Sequence, residues 1–174
     1  MDYRPAFKRR WKLRPMLAGL AMFFGDGIVS YYLDKDGKAS DEAAFNKGDF
    51  FMDGKKQATI KTKIASIPHV KVAVLIGPGT ASSGEITAAI FSERPNTLLL
   101  GERTASLANA TNGFIFNNNN AYFLISTARI ANRNKSLFSE IIQPNFLING
   151  SDAFNDISND VVVKKAIEWL NKKN

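Results

Sequence analysis

The stretch Gly77-Pro78-Gly79-Thr80-Ala81-Ser82-Ser83-Gly84-Glu85 puts a serine where nucleophilic chemistry can be built. An apolar run, Val70 to Ile76, precedes it and reads as a strand buried on both faces. A helix follows from about Ser82 or Ser83 to Arg94 and is stopped by Pro95. Open α/β sheets present their ligand crevices at such strand-to-helix junctions. A serine there faces the positive end of the helix dipole and the free N–H groups of the first turn, which stabilise developing negative charge. Ser82 is thus a candidate nucleophile, and the N–H of Ser83 a candidate oxyanion donor. The same residues have a plainer use. Serine followed three residues later by glutamate is a capping box, which only satisfies the first helical turn. The segment lacks the G-x-S-x-G elbow of α/β-hydrolases. Taken alone, these residues leave both readings open.

A serine hydroxyl at neutral pH needs a base. The one histidine, His69, stands before the Val70–Ile76 run, whereas Ser82 follows it. Seven extended residues span ~23 Å, against a hydrogen-bond reach of ~3 Å. His69 therefore reads as a strand-edge residue. The absence of cysteine excludes a thiol nucleophile, a thiolate metal site and a disulfide framework. No cofactor and no metal are expected.

The elements that would hold Ser82 are of alternating type. Met16 to Phe24 reads as a short apolar helix ended by Gly25, and Ile28 to Leu33 as a strand closed by the turn Asp34-Lys35-Asp36-Gly37. Residues 38–68 are polar and mixed, with one hairpin expected at Asp53-Gly54, and read as a variable surface insertion. Thr97 to Leu100 is a short buried strand. Phe114–Phe116 and Tyr122–Ser126 flank four asparagines that tolerate left-handed backbone, so a hairpin is expected, its second strand continuing through Thr127–Ala131. Val163, Ala166, Ile167 and Leu170 fall at i, i+3, i+4, i+7 and predict a last helix over 160–171. Strands alternating with helices give the α/β class.

The chain has 174 residues, enough for one domain, and a formal charge of +7. That charge is lopsided. Residues 1–14 carry a net +5, and the other 160 residues hold 17 basic against 15 acidic side chains. A nucleic-acid surface spreads its basic residues over a face with aromatics for stacking, so nucleic acid is not an expected partner. No apolar run approaches the ~20 residues of a membrane helix. The basic end followed by Met16–Phe24 has the lengths of a signal peptide, but no small-x-small site follows and Pro15 opens the segment as it opens a helix.

Two longer segments, V-A-V-L-I-G-P-G-T-A-S-S-G-E-I-T and P-N-T-L-L-L-G-E-R-T-A-S, resemble the nucleophile region of tail-specific (C-terminal processing) serine peptidases. That family follows a strand with [ST]-A-S-x-x-E, a helix, and a second strand ending G-E-P-T. P-M-L-A-G-L and G-D-G-I-V-S-Y-Y-L-D-K-D-G-K resemble its upstream helix and strand; L-I-S-T-A-R-I-A-N-R and I-I-Q-P-N resemble later strands. The resemblance spans about residues 15–147 and is weakest over 38–68. It implies a ClpP/crotonase-like α/β core with a β-hairpin extension, and it assigns Ser82 as nucleophile and Ser83 as oxyanion donor. Thr104 and Ala105 would line the substrate groove, and Glu140 is a candidate orienting acid. The implied substrate is a peptide or protein cut near its C-terminus, in an extracytoplasmic or membrane-associated parent protein.

Three departures bear on activity. The Ser/Lys branch carries its lysine soon after G-E-P-T, where this chain has Leu107. The match is closer to the branch that includes nisin resistance protein, whose serine works with a histidine from the N-terminal part of the core. The family also places D-L-R-x-N-x-G-G before the P-M-L-A-G-L helix, where Phe7 to Arg14 stand here. The resemblance therefore implies a core incomplete at its N-terminus: residues 1–14 a non-native or disordered basic segment, residues 15–174 the C-terminal part of the catalytic core. The missing N-terminal part is then a candidate partner. Two other classes stay open: an inactive fragment or binding domain in which Ser82 is a relic, and an acyl-CoA enzyme of the crotonase group.

Overall fold

The structure is a computed structural model that describes residues 13–58, 60–62, 64–150 and 156–172. Of the basic segment expected over residues 1–14, residues 1–12 lie outside the described residues, while Leu13 and Arg14 belong to a helix and Leu13 packs against the core.

The chain opens with helix α1, Leu13–Leu20, which runs into a 3-10 turn over Ala21–Phe23. Strands β1 (Gly27–Leu33), β2 (Ala39–Asn46), β3 (Asp49–Met52) and β4 (Lys55–Ala58) follow as an antiparallel meander. Next come β5 (Val72–Ile76), α2 (Ser83–Ser92) and β6 (Thr97–Gly101), a strand–helix–strand unit with β5 and β6 parallel. Strands β7 (Ala110–Phe116) and β8 (Ala121–Asn132) form the long hairpin, β9 (Phe146–Leu147) joins β6 in parallel, and α3 (Val161–Asn171) ends the described chain. The strands make a six-stranded antiparallel sheet, β4-β3-β2-β1-β8-β7, and a three-stranded parallel sheet, β5-β6-β9. The α/β class, the hairpin and the last helix are as the sequence predicts.

Helix α2 is the centre of the packing. Eight of its ten residues are buried, the apolar Ile86, Ala88, Ala89, Ile90 and Phe91 together with the polar Ser83, Glu85 and Thr87. Ile86, Ile90 and Phe91 pack with Leu17 and Ala18 of α1 and with Val29, Phe45 and Phe50 of the large sheet. Ala88 and Ala89 meet Ile76, Leu99 and Ile142. Phe24 ties the two layers together, stacked on Phe45 at 4.9 Å and edge-on to Phe91 at 4.7 Å between ring centroids.

Residues 38–68 do not form a surface insertion. They supply three strands of the large sheet, and Ala43, Phe45 and Phe50 are core residues. Two tight turns make this possible. Asp53-Gly54 turns with φ of 49° and 69°, as expected, and Lys47-Gly48 turns with φ of 49° and 76°. Both are two-residue hairpin loops with two positive φ angles, the type I′ geometry.

Strand β5 also differs from expectation. Val72 and Val74 pack against the core, but Leu75 is 45% exposed and Val70 39%. Alternation puts Leu75 on the face opposite Val72, Val74 and Ile76, a face not fully covered, and β5 is an edge strand paired only with β6 among the described residues. Helix α3 covers part of its outer face while burying only Ala166 fully, so Ile167 and Leu170 of the predicted apolar stripe stay largely exposed.

The far end of α2 is anchored by Arg94. Its guanidinium is buried and donates to the carbonyls of Phe23, Pro95, Pro68 and Val70 and to Thr97 Oγ1, at 2.6–3.1 Å. Burial lowers its pKa, because no carboxylate compensates the lost hydration. Five donors in a planar fork join three chain segments here, a geometry lysine cannot copy.

Candidate active site

Ser82 sits at the turn between β5 and α2. The turn is closed by Thr80, whose N–H donates to Gly77 O at 2.8 Å and whose Oγ1 accepts from Gly77 N–H at 3.1 Å. Ser82 itself adopts φ 51° and ψ −114°. A non-glycine residue there is strained and persists only when its surroundings hold it. In the nucleophile elbows of hydrolases, a strained strand-to-helix turn of this kind exposes the serine Oγ at the top of the sheet. The same result holds here: Ser82 is exposed, while Ser83, the first residue of α2, is buried.

Glu85 holds the turn in place. Its side chain is fully buried and takes three backbone donors: Ser82 N–H at 2.8 Å and Leu107 N–H at 2.8 Å, both on Oε2, and Ser106 N–H at 2.9 Å on Oε1. The first bond is the Glu85 half of the capping box foreseen in the sequence. The other two tie the loop after β6 to the Ser82 turn. A capping motif thus doubles as the clamp that joins the two loops of the site, so the capping and nucleophile readings of Ser82 are compatible. The tie from Glu85 to Ser106 and Leu107 had no signal in local spacing, because the partners are backbone groups over twenty residues away.

The loop after β6 begins at Gly101, with φ +115°. A Cβ there would lie 2.2 Å from Ile76 O, so only glycine lets β6 close against the end of β5. Glu102 N–H then donates to that same Ile76 O at 3.0 Å. Thr104 is buried; its Oγ1 accepts from Ile142 N–H at 3.0 Å and its own N–H donates to Ile142 O at 3.2 Å. Ala105 is half-buried, and its N–H donates to Thr80 O at 3.0 Å. Thr104 and Ala105 are thereby brought beside the Ser82 turn.

Two other residues are not. His69 is exposed in the turn before β5, its carbonyl accepting from Asn96 Nδ2 at 3.1 Å. Asn96 precedes β6, so His69 lies at the opposite end of the parallel sheet from Ser82. Glu140 is exposed and faces Arg129 at 3.8 Å, both more than 45% exposed. Leu107 lends the site its N–H, while its side chain is exposed and carries no base. None of the hydrogen bonds among the described residues brings a lysine or His69 to Ser82. No group of three or more histidine, aspartate or glutamate side chains fit to hold a metal ion occurs among the described residues.

Comparison with known proteins bears on the family and the fold. The chain is 30% identical over 161 residues to nisin-resistance protein of Lactococcus lactis subsp. lactis, an alignment covering 91% of this chain and 45% of the relative. Among solved structures, a lipoprotein from Streptococcus agalactiae superposes with a TM-score of 0.64 at 23% identity, over 91% of this chain and 50% of that one. The photosystem II D1 C-terminal processing protease superposes with a TM-score of 0.62 at 15% identity, over 87% of this chain and 35% of that one. These likenesses establish the fold, and the chain spans about half the length of the relatives it matches or less. The model of peptidase family S41 matches residues 12–148, and the chain belongs to that family.

Proposed function

We propose that the chain is the nucleophile-bearing portion of a tail-specific serine endopeptidase, with Ser82 as nucleophile. The observation that carries this reading is the strained, exposed Ser82 at the N-terminus of a buried helix, its N–H clamped by a fully buried Glu85. A residue that served only as a cap would gain nothing from φ 51° and ψ −114°.

Ser82 Oγ attacks the scissile carbonyl, and the tetrahedral oxyanion forms against Ser83 N–H at the head of α2, where the helix dipole favours it. A base takes the hydroxyl proton and returns it to the leaving amine, and water then releases the acyl group. Neither His69 nor Leu107 can be that base. The base, a histidine, and the second oxyanion donor come from a segment outside this chain, with the open edge of β5 next to the Ser82 turn as the place for a further strand. Thr104 and Ala105 flank the substrate groove, and Glu140 is the candidate orienting acid. The parent protein is extracytoplasmic or membrane-associated, in keeping with relatives described as a lipoprotein and as nisin-resistance protein. Membership of a peptidase family supports a peptide or protein substrate.

The test is cleavage of a flexible peptide by the chain alone and after adding a separately produced N-terminal segment from a longer family member. The chain alone should show no Ser82-dependent turnover, and the complemented protein should. Ser82→Ala should abolish it while Ser83→Ala, which keeps the backbone N–H, leaves a measurable fraction. The opposite ranking of the two serines sinks the assignment.

A further inference from the structure

Parallel pairing with β6 uses only half of the main-chain groups of β5. Val72 N–H donates to Asn96 O at 2.9 Å, and Glu102 N–H donates to Ile76 O at 3.0 Å. Alternation therefore turns the N–H and C=O of Val72, Val74 and Ile76 toward β6. Those of Ala73 and Leu75 point to the other edge, which has no neighbouring strand among the described residues. Edge strands are ordinarily guarded by lysine, proline or a bulge. Val72–Ile76 holds neither charge nor proline, and its register with β6 is unbroken. Lys71, just before it, is drawn aside: its Nζ donates to Lys172 O and lies 5.6 Å from the Trp169 ring centroid.

Helix α3 presents an apolar flank to the same edge. It packs on β5 and β6. Lys165, Trp169 and Lys172 line a groove with Leu98, Leu100 and Phe146, so that flank of the helix faces β6 and β9. At 3.6 residues per turn, Val163, Ile167 and Leu170 lie on the other side of the buried Ala166 and face past β5. Ile167 and Leu170 are 52% and 40% exposed, and Leu75 is open on the same face of the sheet. The undescribed segments of the chain suit this edge poorly. Residues 1–12 hold five basic side chains, one acidic and a proline, with no run of five uncharged residues, and residues 151–155 are only five long and include Asp152. A charged side chain in an apolar seam loses its hydration without gaining a partner.

We infer that a second copy of this chain covers the β5 edge, the two β5 strands pairing antiparallel about a two-fold axis at Val74. The inference does not depend on the role of Ser82. Ala73 exchanges both main-chain bonds with Leu75 of the partner subunit, and Leu75 does so with the partner subunit's Ala73, which uses every edge-facing group of these two residues. The same patch serves both copies, as a two-fold interface requires. Both α3 helices then lie antiparallel on one face of a continuous six-stranded sheet. With α3 centred over β5 and β6 and strands about 4.8 Å apart, the helix axes come to about 10 Å from each other, the spacing of packed helices. Val163, Ile167 and Leu170 close the seam from both sides. A seam one short strand long sits at the small end of stable interfaces, near ~1,200 Å², so association at micromolar concentration is expected. The same edge is the proposed place of a further strand in a complete peptidase, so the two occupants exclude one another.

Sedimentation equilibrium over roughly 1–100 μM, a range that brackets such a dissociation constant, should show a monomer–dimer equilibrium. Ala73→Pro removes an N–H that faces the edge and leaves the β6 ladder intact. Two of the seam's main-chain bonds are lost, at roughly a factor of five each, so the dimer should weaken about twentyfold. Ile167→Lys with Leu170→Lys should weaken it about tenfold or more, because two apolar side chains leave the seam. Both variants should keep the circular dichroism of the parent, since the changed side chains lie outside the core. The chain has no cysteine, so a single Val74→Cys reports the register without a fold-dependent readout. Position 74 meets its mate across the axis at about 4.5–5.5 Å between Cβ atoms, and oxidation by oxygen with copper phenanthroline should link the copies. Val70→Cys, about 25 Å from its mate in this register, should not cross-link. A monomer throughout the range overturns the inference. So does a dimer that Ala73→Pro and the α3 variant leave intact, or cross-linking at position 70 in preference to 74. A dimer broken only by Ile115→Lys in the β7–β8 hairpin overturns it too, in favour of pairing between hairpins.

Discussion

Replacing Glu85 tests whether the Ser82 turn is held by a buried clamp. The carboxylate is fully buried and takes the N–H groups of Ser82, Ser106 and Leu107 at 2.8–2.9 Å. Hydrogen bonds to a charged group are worth about 1.5–3 kcal/mol each, and a buried donor left unpaired costs about 1–3 kcal/mol. Three such bonds are not additive, because water enters the gap and burying the carboxylate is itself costly. Glu85→Ala should therefore destabilise the chain by about 3–5 kcal/mol, a large share of the ~5–15 kcal/mol typical of a domain. Glu85→Gln keeps one acceptor. Its carbonyl can replace Oε2 for Ser82 and Leu107, which leaves the amide N–H₂ facing the N–H of Ser106. The expected cost is about 2 kcal/mol, one lost bond plus a donor–donor contact. Urea unfolding followed by circular dichroism reads both variants, with an unchanged slope marking a pure stability effect. A Glu85→Gln chain within ~0.5 kcal/mol of the parent would show that these bonds do not hold the site, and the strain at Ser82 would need another cause.

Gly101→Ala forces a Cβ to 2.2 Å from Ile76 O at a φ of +115°, so a loss of roughly 2 kcal/mol or more is expected in the same unfolding assay; a neutral result would mean that β6 can shift away from β5. Arg94→Met strips the donors from four carbonyls and Thr97 Oγ1 and should cost about 3 kcal/mol or more, with Arg94→Lys recovering little; full rescue by lysine would contradict the fork geometry. Asp41 has a raised pKa, chiefly from burial and then from the hydrogen bond and charge of Asp53. Its folded pKa lies above the unfolded one, so the stability it contributes is present below about pH 4 and lost as pH rises through the folded value. Asp41→Asn should thus raise the melting temperature at pH 7, with the gain shrinking toward pH 3.5; a loss at pH 7 refutes this. Ser82→Ala and Ser83→Ala, compared in the complemented protein, should rank as null and partial.

The parts of the fold that could be read in advance are those whose signal is local. Val72–Ile76, the Gly77-Pro78-Gly79 break and the stop at Pro95 bracket α2 almost to the residue, because apolar runs and breakers act over a few positions. The meander over 39–58 was hidden for the opposite reason. Its buried apolar residues, Ala43, Phe45 and Phe50, are few and interleaved with the charged Asp41, Glu42, Lys47 and Asp49, and one of its turns is Lys-Gly rather than Asn-Gly. Burial there depends on α1 and α2 arriving from elsewhere in the chain. Strand β5 shows the converse error. Val-Ala-Val-Leu-Ile has the composition of a strand covered on both faces, but composition cannot say whether the second face is covered, and Leu75, opposite Val72, Val74 and Ile76, is exposed.

The site divides along the same line. Ser82 and its reach to Glu85 span three residues and were legible; the backbone strain and the ties from Glu85 to Ser106 and Leu107 exist only once β5 and β6 are paired. This bears on what the chain can do. Everything that positions Ser82 is contained in it: the Thr80 turn, Gly101, the Glu85 clamp and the buried helix behind them. Among the described residues no hydrogen bond joins Ser82 to a lysine or to His69. Orientation and proton transfer are separable contributions to one rate, and a nucleophile without its base loses the larger part of it. Strain at Ser82 costs folding free energy whether or not a base is present. A chain that had only to fold would relax that turn, so the retained strain supports the proposal that Ser82 belongs to a catalytic site.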